Sequence, residues 1–123
     1  MAKTGEAYGF LKYGGRADDI LKYIPSVRNS ALTPPEMSLQ LIAGVENVDT
    51  TGDSGLADLV QRAKGADFNY AFKANLPNAD NATTAGELGD TINQLYQTPL
   101  YQEGQEFYAE IAYKQNDKYS LLE

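Results

Sequence analysis

An α+β fold is predicted for this 123-residue chain: one antiparallel sheet of about four strands, with three to four helices packed mainly on one face. Three observations carry that expectation. Apolar and polar residues alternate around 68–72 and again around 107–113, the period-2 pattern of half-buried strands. The segments between show helical spacing with recognisable start signals. A polar turn near residue 116 joins two C-terminal β runs into a hairpin.

The first element is a strand over residues 6–13, where Tyr8 and Phe10 alternate with Ala7, Gly9 and Leu11. Gly14-Gly15 ends it as a turn. A helix follows over 16–24, with Ile20, Leu21 and Ile24 on one face and Asp18 and Asp19 in the first turn, where the helix dipole favours acids. Pro25 predicts a break or kink. Thr33-Pro34-Pro35-Glu36 then reads as a capping box with proline at the first helical position. It favours a helix carrying Met37, Leu41, Val45 and Val48. Leu39, Leu41, Ala43 and Val45 also alternate as in a strand, so residues 34–47 keep both readings, and the sheet order depends on which holds.

Residues 48–55 form a polar turn, and Asp53 or Ser54 caps a short helix through Leu56, Leu59, Val60 and Ala63, ended by Lys64-Gly65. A strand is expected over 66–75, with Phe68, Tyr70 and Phe72 on one face. Residues 76–82 read as a loop and 84–97 as a helix with Leu88, Ile92 and Leu95 inward. The last strand, 106–114, turns at Gln115-Asn116-Asp117 into residues 118–122. No linker or repeat interrupts the chain, so 1–123 reads as a single domain. Its last two residues, Leu122-Glu123, resemble a cloning scar.

Composition narrows the chemistry. The chain has no histidine, cysteine or tryptophan. Ser-His-Asp and Cys-His hydrolysis, thiol redox and structural zinc all need side chains that are missing here. The N-terminus lacks the apolar stretch of a signal peptide, and runs such as Leu41-Ile42-Ala43 fall far short of the ~20 residues that span a bilayer. A soluble, cytoplasmic protein is expected. Net charge is −7, and no basic residue lies between Lys73 and Lys114, a stretch that holds Asp80, Glu87, Asp90, Glu103, Glu106 and Glu110. Such a surface should repel nucleic acids and anionic membranes.

Two motifs invite chemistry. Gly52-Asp53-Ser54-Gly55 resembles the sequence around the nucleophile of chymotrypsin-like proteases and the Gly-Asp-Ser-Leu of one esterase group. Both families need a histidine to take the serine proton, so the tetrad is read as a turn. Asn47, Asp49, Thr51, Asp53 and Asp58 fall at positions 1, 3, 5, 7 and 12 of an EF-hand-like loop, a weak calcium candidate with Asn and Asp where the first Asp and last Glu belong. Phosphate-binding glycine motifs are missing, and no cofactor is expected.

Nine tyrosines remain as the distinctive feature. Phe68, Tyr70, Phe72, Phe107 and Tyr113 are expected to build the core, leaving Tyr8, Tyr96, Tyr101 and Tyr108 outward beside Glu106 and Glu110 as a partner-binding surface. The expected function is a small, acidic, non-catalytic interaction module with a protein partner. Self-association as a homodimer, through an edge strand or the tyrosine face, belongs to the same reading. Two alternatives stand beside it: a small-molecule binder or histidine-free enzyme working with carboxylates and tyrosine, and an acidic inhibitor of a nucleic-acid-binding protein.

Overall fold

A computed structural model describes residues 3–28, 36–100 and 107–122, with side chains 25–28 left aside. Five strands form one antiparallel sheet: β1 (Thr4–Tyr13), β2 (Ser38–Ala43), β3 (Tyr70–Pro77), β4 (Phe107–Gln115) and β5 (Lys118–Leu121). Their spatial order is β2-β3-β1-β4-β5. Three helices, α1 (Ala17–Arg28), α2 (Ser54–Gly65) and α3 (Asn81–Leu95), complete the α+β fold. No helix among the described residues is long and apolar enough to cross a membrane.

Strand β1 lies at the centre, and its alternation feeds two apolar layers. Ala7 and Leu11 meet Phe72, Ala74, Ile20, Leu88, Ile92 and Leu95 under α1 and α3. Tyr8 and Phe10 point the other way, onto Val45, Val48, Leu56, Val60 and Ala63 of α2 and the single 3₁₀ turn at Val45–Asn47. Burial on both faces is why β1 reads as a nearly unbroken apolar run. Thr84 and Thr91, fully buried on α3, return their hydroxyl protons to the Asp80 and Glu87 carbonyls one turn earlier.

The segment favoured as a helix after Glu36 is strand β2. Pairing decides it: Leu39 and Leu41 line the α1 layer, Ile42 faces α2, and Ser38 to Ala43 lie in register with β3. The capping signal at residues 33–35 lies outside the described residues. The α-helical state around Pro25 also departs from expectation, since α1 continues to Arg28. A proline forfeits one helical hydrogen bond, while Ile20 and Ile24 anchor the helix to the core.

Phe68 is the third correction. It packs edge-on to Phe10 at 6.4 Å in the α2 layer, whereas Tyr70 and Phe72 belong to the α1/α3 layer. The strand begins only at Tyr70; Asp67 is left-handed with φ 66°, and the Phe68 amide donates to the Ala63 carbonyl of α2 at 3.0 Å, so Phe68 belongs to the α2 side before the alternation starts. Helix α3 starts at Asn81, earlier than expected, because Asp80 caps it by accepting from the Thr83 amide at 2.7 Å. The hairpin turn places both Asn116 and Asp117 at positive φ, 52° and 64°, as a tight two-residue turn requires.

Candidate functional site

Three of the predicted surface residues converge at the flank of β4. Tyr108 is 55% exposed, and its ring lies 5.8 Å from that of Phe68. Glu110, two residues on, shares its face of the sheet. Tyr96 closes the end of α3, stacks edge-on to Phe107 at 4.6 Å and donates from its hydroxyl to the Phe107 carbonyl at 3.2 Å. Tyr8 departs from expectation: it is only 4% exposed, because even-numbered residues of β1 face the α2 layer. Tyr101 and Glu106 lie outside the described residues.

Strand β5 is short, so it covers only the far half of β4. Its register pairs Ala112 with Leu121 and Gln115 with Lys118, and the Leu122 amide adds a bond to the Ile111 carbonyl at 2.9 Å. The near half of β4 is flanked by two grooves, one on each sheet face. The first, about 390 Å³, lies between α3 and β4 and includes Ile92, Tyr96, Tyr108, Ile111, Leu121 and Leu122 in its wall. The second, also about 390 Å³, lies against α2 and includes Phe10, Leu59, Arg62 and Ala63. Glu110 and Leu121 border both.

Leu121 and Leu122 are 39% and 38% exposed. With Tyr108 they give this flank three of the four exposed large apolar side chains among the described residues, the fourth being Leu21 on α1. The flank therefore combines apolar side chains with polar ones, Asn93 on the α3 side and Arg62 on the α2 side, and a carboxylate at the rim. Such a site suits an apolar anchor beside a cationic or hydrogen-bond-donating group. Leu121 and Leu122 were not among the residues expected here. In the sequence Leu122 reads as part of a terminal scar, and no neighbouring residue marks Leu121: only the pairing of Leu121 with Ala112 brings the two beside β4.

A second polar cluster sits where β1, β5 and the start of α2 meet. Asp53 caps α2 by accepting from the Leu56 amide at 3.1 Å, and its other oxygen accepts from the Tyr119 hydroxyl at 3.0 Å. Lys114 Nζ lies 3.5 Å from that same oxygen. Burial opposes the charged form of Asp53, but these donors outweigh it and hold its carboxyl below the usual range. Burial, reinforced by Glu6, pushes the Tyr8 hydroxyl well above the ordinary tyrosine value; burial and Asp53 do the same to Tyr119. Both phenols stay protonated, and Tyr119 donates to the Asp53 carboxylate. A group held protonated so far above neutrality is a poor general base, so this cluster clamps the hairpin to α2.

The tetrad at Gly52–Gly55 follows from the same cap, with Ser54 as the first residue of α2. The EF-hand-like series has a strand and a 3₁₀ turn upstream where that motif needs a helix. Asn47 donates to the Ala43 carbonyl, and Asp49 accepts from the Thr51 amide, so these side chains serve their own turns. Among the described residues no group of three or more His, Cys, Asp or Glu is placed to hold a metal ion. Of the acidic series, Asp80, Glu87 and Asp90 belong to α3 and its cap, Glu110 to the opposite sheet face, and Glu103 and Glu106 lie outside the described residues. No family model, curated protein or solved structure matches the chain.

Proposed function

We propose that this chain is a non-catalytic interaction module that receives an extended segment of a partner protein at the flank of β4. The observation that carries the reading is the shared border of the two grooves. Glu110 and Leu121 stand between recesses of mixed apolar and polar lining on opposite faces of the sheet, beside an exposed tyrosine. An extended segment projects alternate side chains in opposite directions, so it can place apolar groups in both recesses while crossing this rim.

The chemistry selects the partner. Tyrosine supplies a rigid apolar face with a polar tip, a residue type favoured in interaction surfaces. Glu110 at the rim, in a chain of net charge −7, favours a segment carrying lysine or arginine next to its apolar anchor. Catalysis finds little support: the two tyrosines with displaced ionisation are locked in the protonated form.

Selection from a random peptide display library tests this reading. The enriched sequences should carry an apolar or aromatic residue next to a basic one. Tyr108→Ala and Glu110→Lys should each weaken binding about tenfold, the cost of a well-placed interface contact. Enriched peptides that bind both variants as tightly as the parent chain would overturn it.

A further inference from the structure

The opposite edge of the sheet carries an independent inference. Among the described residues strand β2 has one strand neighbour, β3. The Gly44 amide donates to the Asn69 carbonyl at 2.9 Å, which fixes the direction of the ladder. In antiparallel pairing the inward-bonding residues alternate, so Ser38, Gln40 and Ile42 exchange bonds with β3. Leu39 and Leu41 turn their amides and carbonyls to the open side, where nothing among the described residues pairs with them; Ala43 turns the same way, and its carbonyl accepts from the Asn47 side-chain amide at 2.8 Å.

Proteins guard such edges with lysine, proline, bulges or short strands. Strand β5, at the other end of the sheet, has four residues and opens on Lys118. Strand β2 has six residues, Ser-Leu-Gln-Leu-Ile-Ala, with neither charge nor proline. It is the one uncharged strand in the sheet: β1 carries Glu6 and Lys12, β3 Lys73, β4 Glu110 and Lys114, and β5 Lys118. A neutral edge accepts a neutral strand without burying an unpaired charge, and the neutral strand this chain offers is β2 itself.

We propose that two copies of the chain pair through β2, antiparallel, about a two-fold axis at Leu41. In that register Leu41 faces its own copy and exchanges two backbone hydrogen bonds with it, while Leu39 faces Ala43 of the second copy, which offers its amide and a carbonyl shared with Asn47. Leu39 and Leu41 then continue the apolar layer under α1 across the axis, while Gln40 meets Ile42 on the other face. Because β5 is short and opens on a charge, association closes at two copies instead of propagating as a fibre.

Sedimentation equilibrium of the tag-free chain, with single-cysteine variants, tests the pairing. The parent chain should be a reversible dimer with micromolar affinity. Ala43→Pro removes an outward amide without touching the β2–β3 ladder, and Gln40→Lys adds an edge charge. Each should weaken the dimer at least about tenfold with the circular dichroism spectrum retained. The chain has no native cysteine, so Leu41→Cys reports the axis cleanly. Facing residues about 5.5 Å apart at Cα suit a disulfide, and the variant should oxidise to a covalent dimer while Ser38→Cys does not. A parent chain that stays monomeric up to about 1 mM, where millimolar binding is already weaker than the pairing needs, would overturn the proposal. So would equal cross-linking of the two cysteine variants.

Discussion

The side-chain amide of Asn69 holds both backbone groups of Tyr13. Its oxygen accepts from the Tyr13 amide at 3.0 Å, and its nitrogen donates to the Tyr13 carbonyl at 2.7 Å. The amide thus stands in for one more residue of a neighbouring strand at the end of β1. Asn81 does the same at the other end, accepting from the Glu6 amide at 2.9 Å and donating to the Lys114 carbonyl at 2.8 Å, so it bridges β1 and β4 where the ladder stops. Asparagine thus closes the Tyr13 end of β1 and the Glu6 end of the β1–β4 ladder.

Replacing Asn69 by alanine leaves the Tyr13 amide and carbonyl without these partners in a part-buried place. The cost should be about 2 kcal/mol, two ordinary hydrogen bonds, read as a lower urea midpoint with unchanged slope. Asn69→Asp should be no better than alanine, because a carboxylate cannot donate to the Tyr13 carbonyl. Full stability in the aspartate variant would refute the bridging role.

Asp53 joins the cap of α2 to Tyr119 and Lys114, so its substitutions should separate those roles. Asp53→Ala loses cap and clamp together and should cost about 2 kcal/mol. Asp53→Asn keeps a capping oxygen and should cost less than half as much. The folded-state pKa of Asp53 is depressed, so its stabilisation is present above the unfolded value near 3.9 and disappears as pH falls through the folded value. Urea midpoints between pH 2 and 5 should therefore fall less steeply for Asp53→Asn than for the parent.

Glu87 works in the opposite sense. Burial, with Asp90 adding to it, raises its pKa, and among the described residues its buried Oε2 has no hydrogen-bond partner. A raised folded pKa means that ionised Glu87 burdens the fold at neutral pH and is relieved on protonation as pH falls. Glu87→Gln should raise Tm at pH 7, with the gain fading as pH falls through the raised folded value and gone below the unfolded value near 4.3. A lower Tm at pH 7 would show that the charge has a stabilising partner.

Tyr8 and Tyr119 should resist ionisation. In an alkaline titration followed by ultraviolet absorbance, these two should remain protonated past the ordinary tyrosine range near pH 10 and titrate only with unfolding. Tyr119→Phe should remove one resistant group and loosen the terminal hairpin. Titration of every tyrosine below the unfolding transition would contradict the carboxylate contacts.

Much of this fold is legible in the chain because its strands alternate and its caps are local. Asp53 lies three residues before the amide it caps, and the hairpin turn is a contiguous Asn-Asp; both can be read from neighbours alone. What escaped depends on distant partners. Strand β2 is decided by its ladder to β3, and the helix-start signal before it has no knowledge of that strand. Tyr8 looks like an outward aromatic until α2 and the 3₁₀ turn cover the second face of the sheet. The candidate groove was half visible: Tyr96, Tyr108 and Glu110 are conspicuous by type, but Leu121 joins them only because the hairpin folds back beside β4.

Binding of a partner at the flank of β4 is read most directly from backbone amide resonances. A display-selected peptide carrying an apolar and a basic residue should be titrated into isotope-labelled protein while backbone amide resonances are followed. The account predicts saturable shifts at Gly89, Tyr108, Ala109, Glu110 and Leu122, and their loss in the combined Tyr108→Ala, Glu110→Lys variant. Saturable binding that instead shifts the amides around Gln40, Asn47 and Asp49 on the far side of the sheet would contradict it.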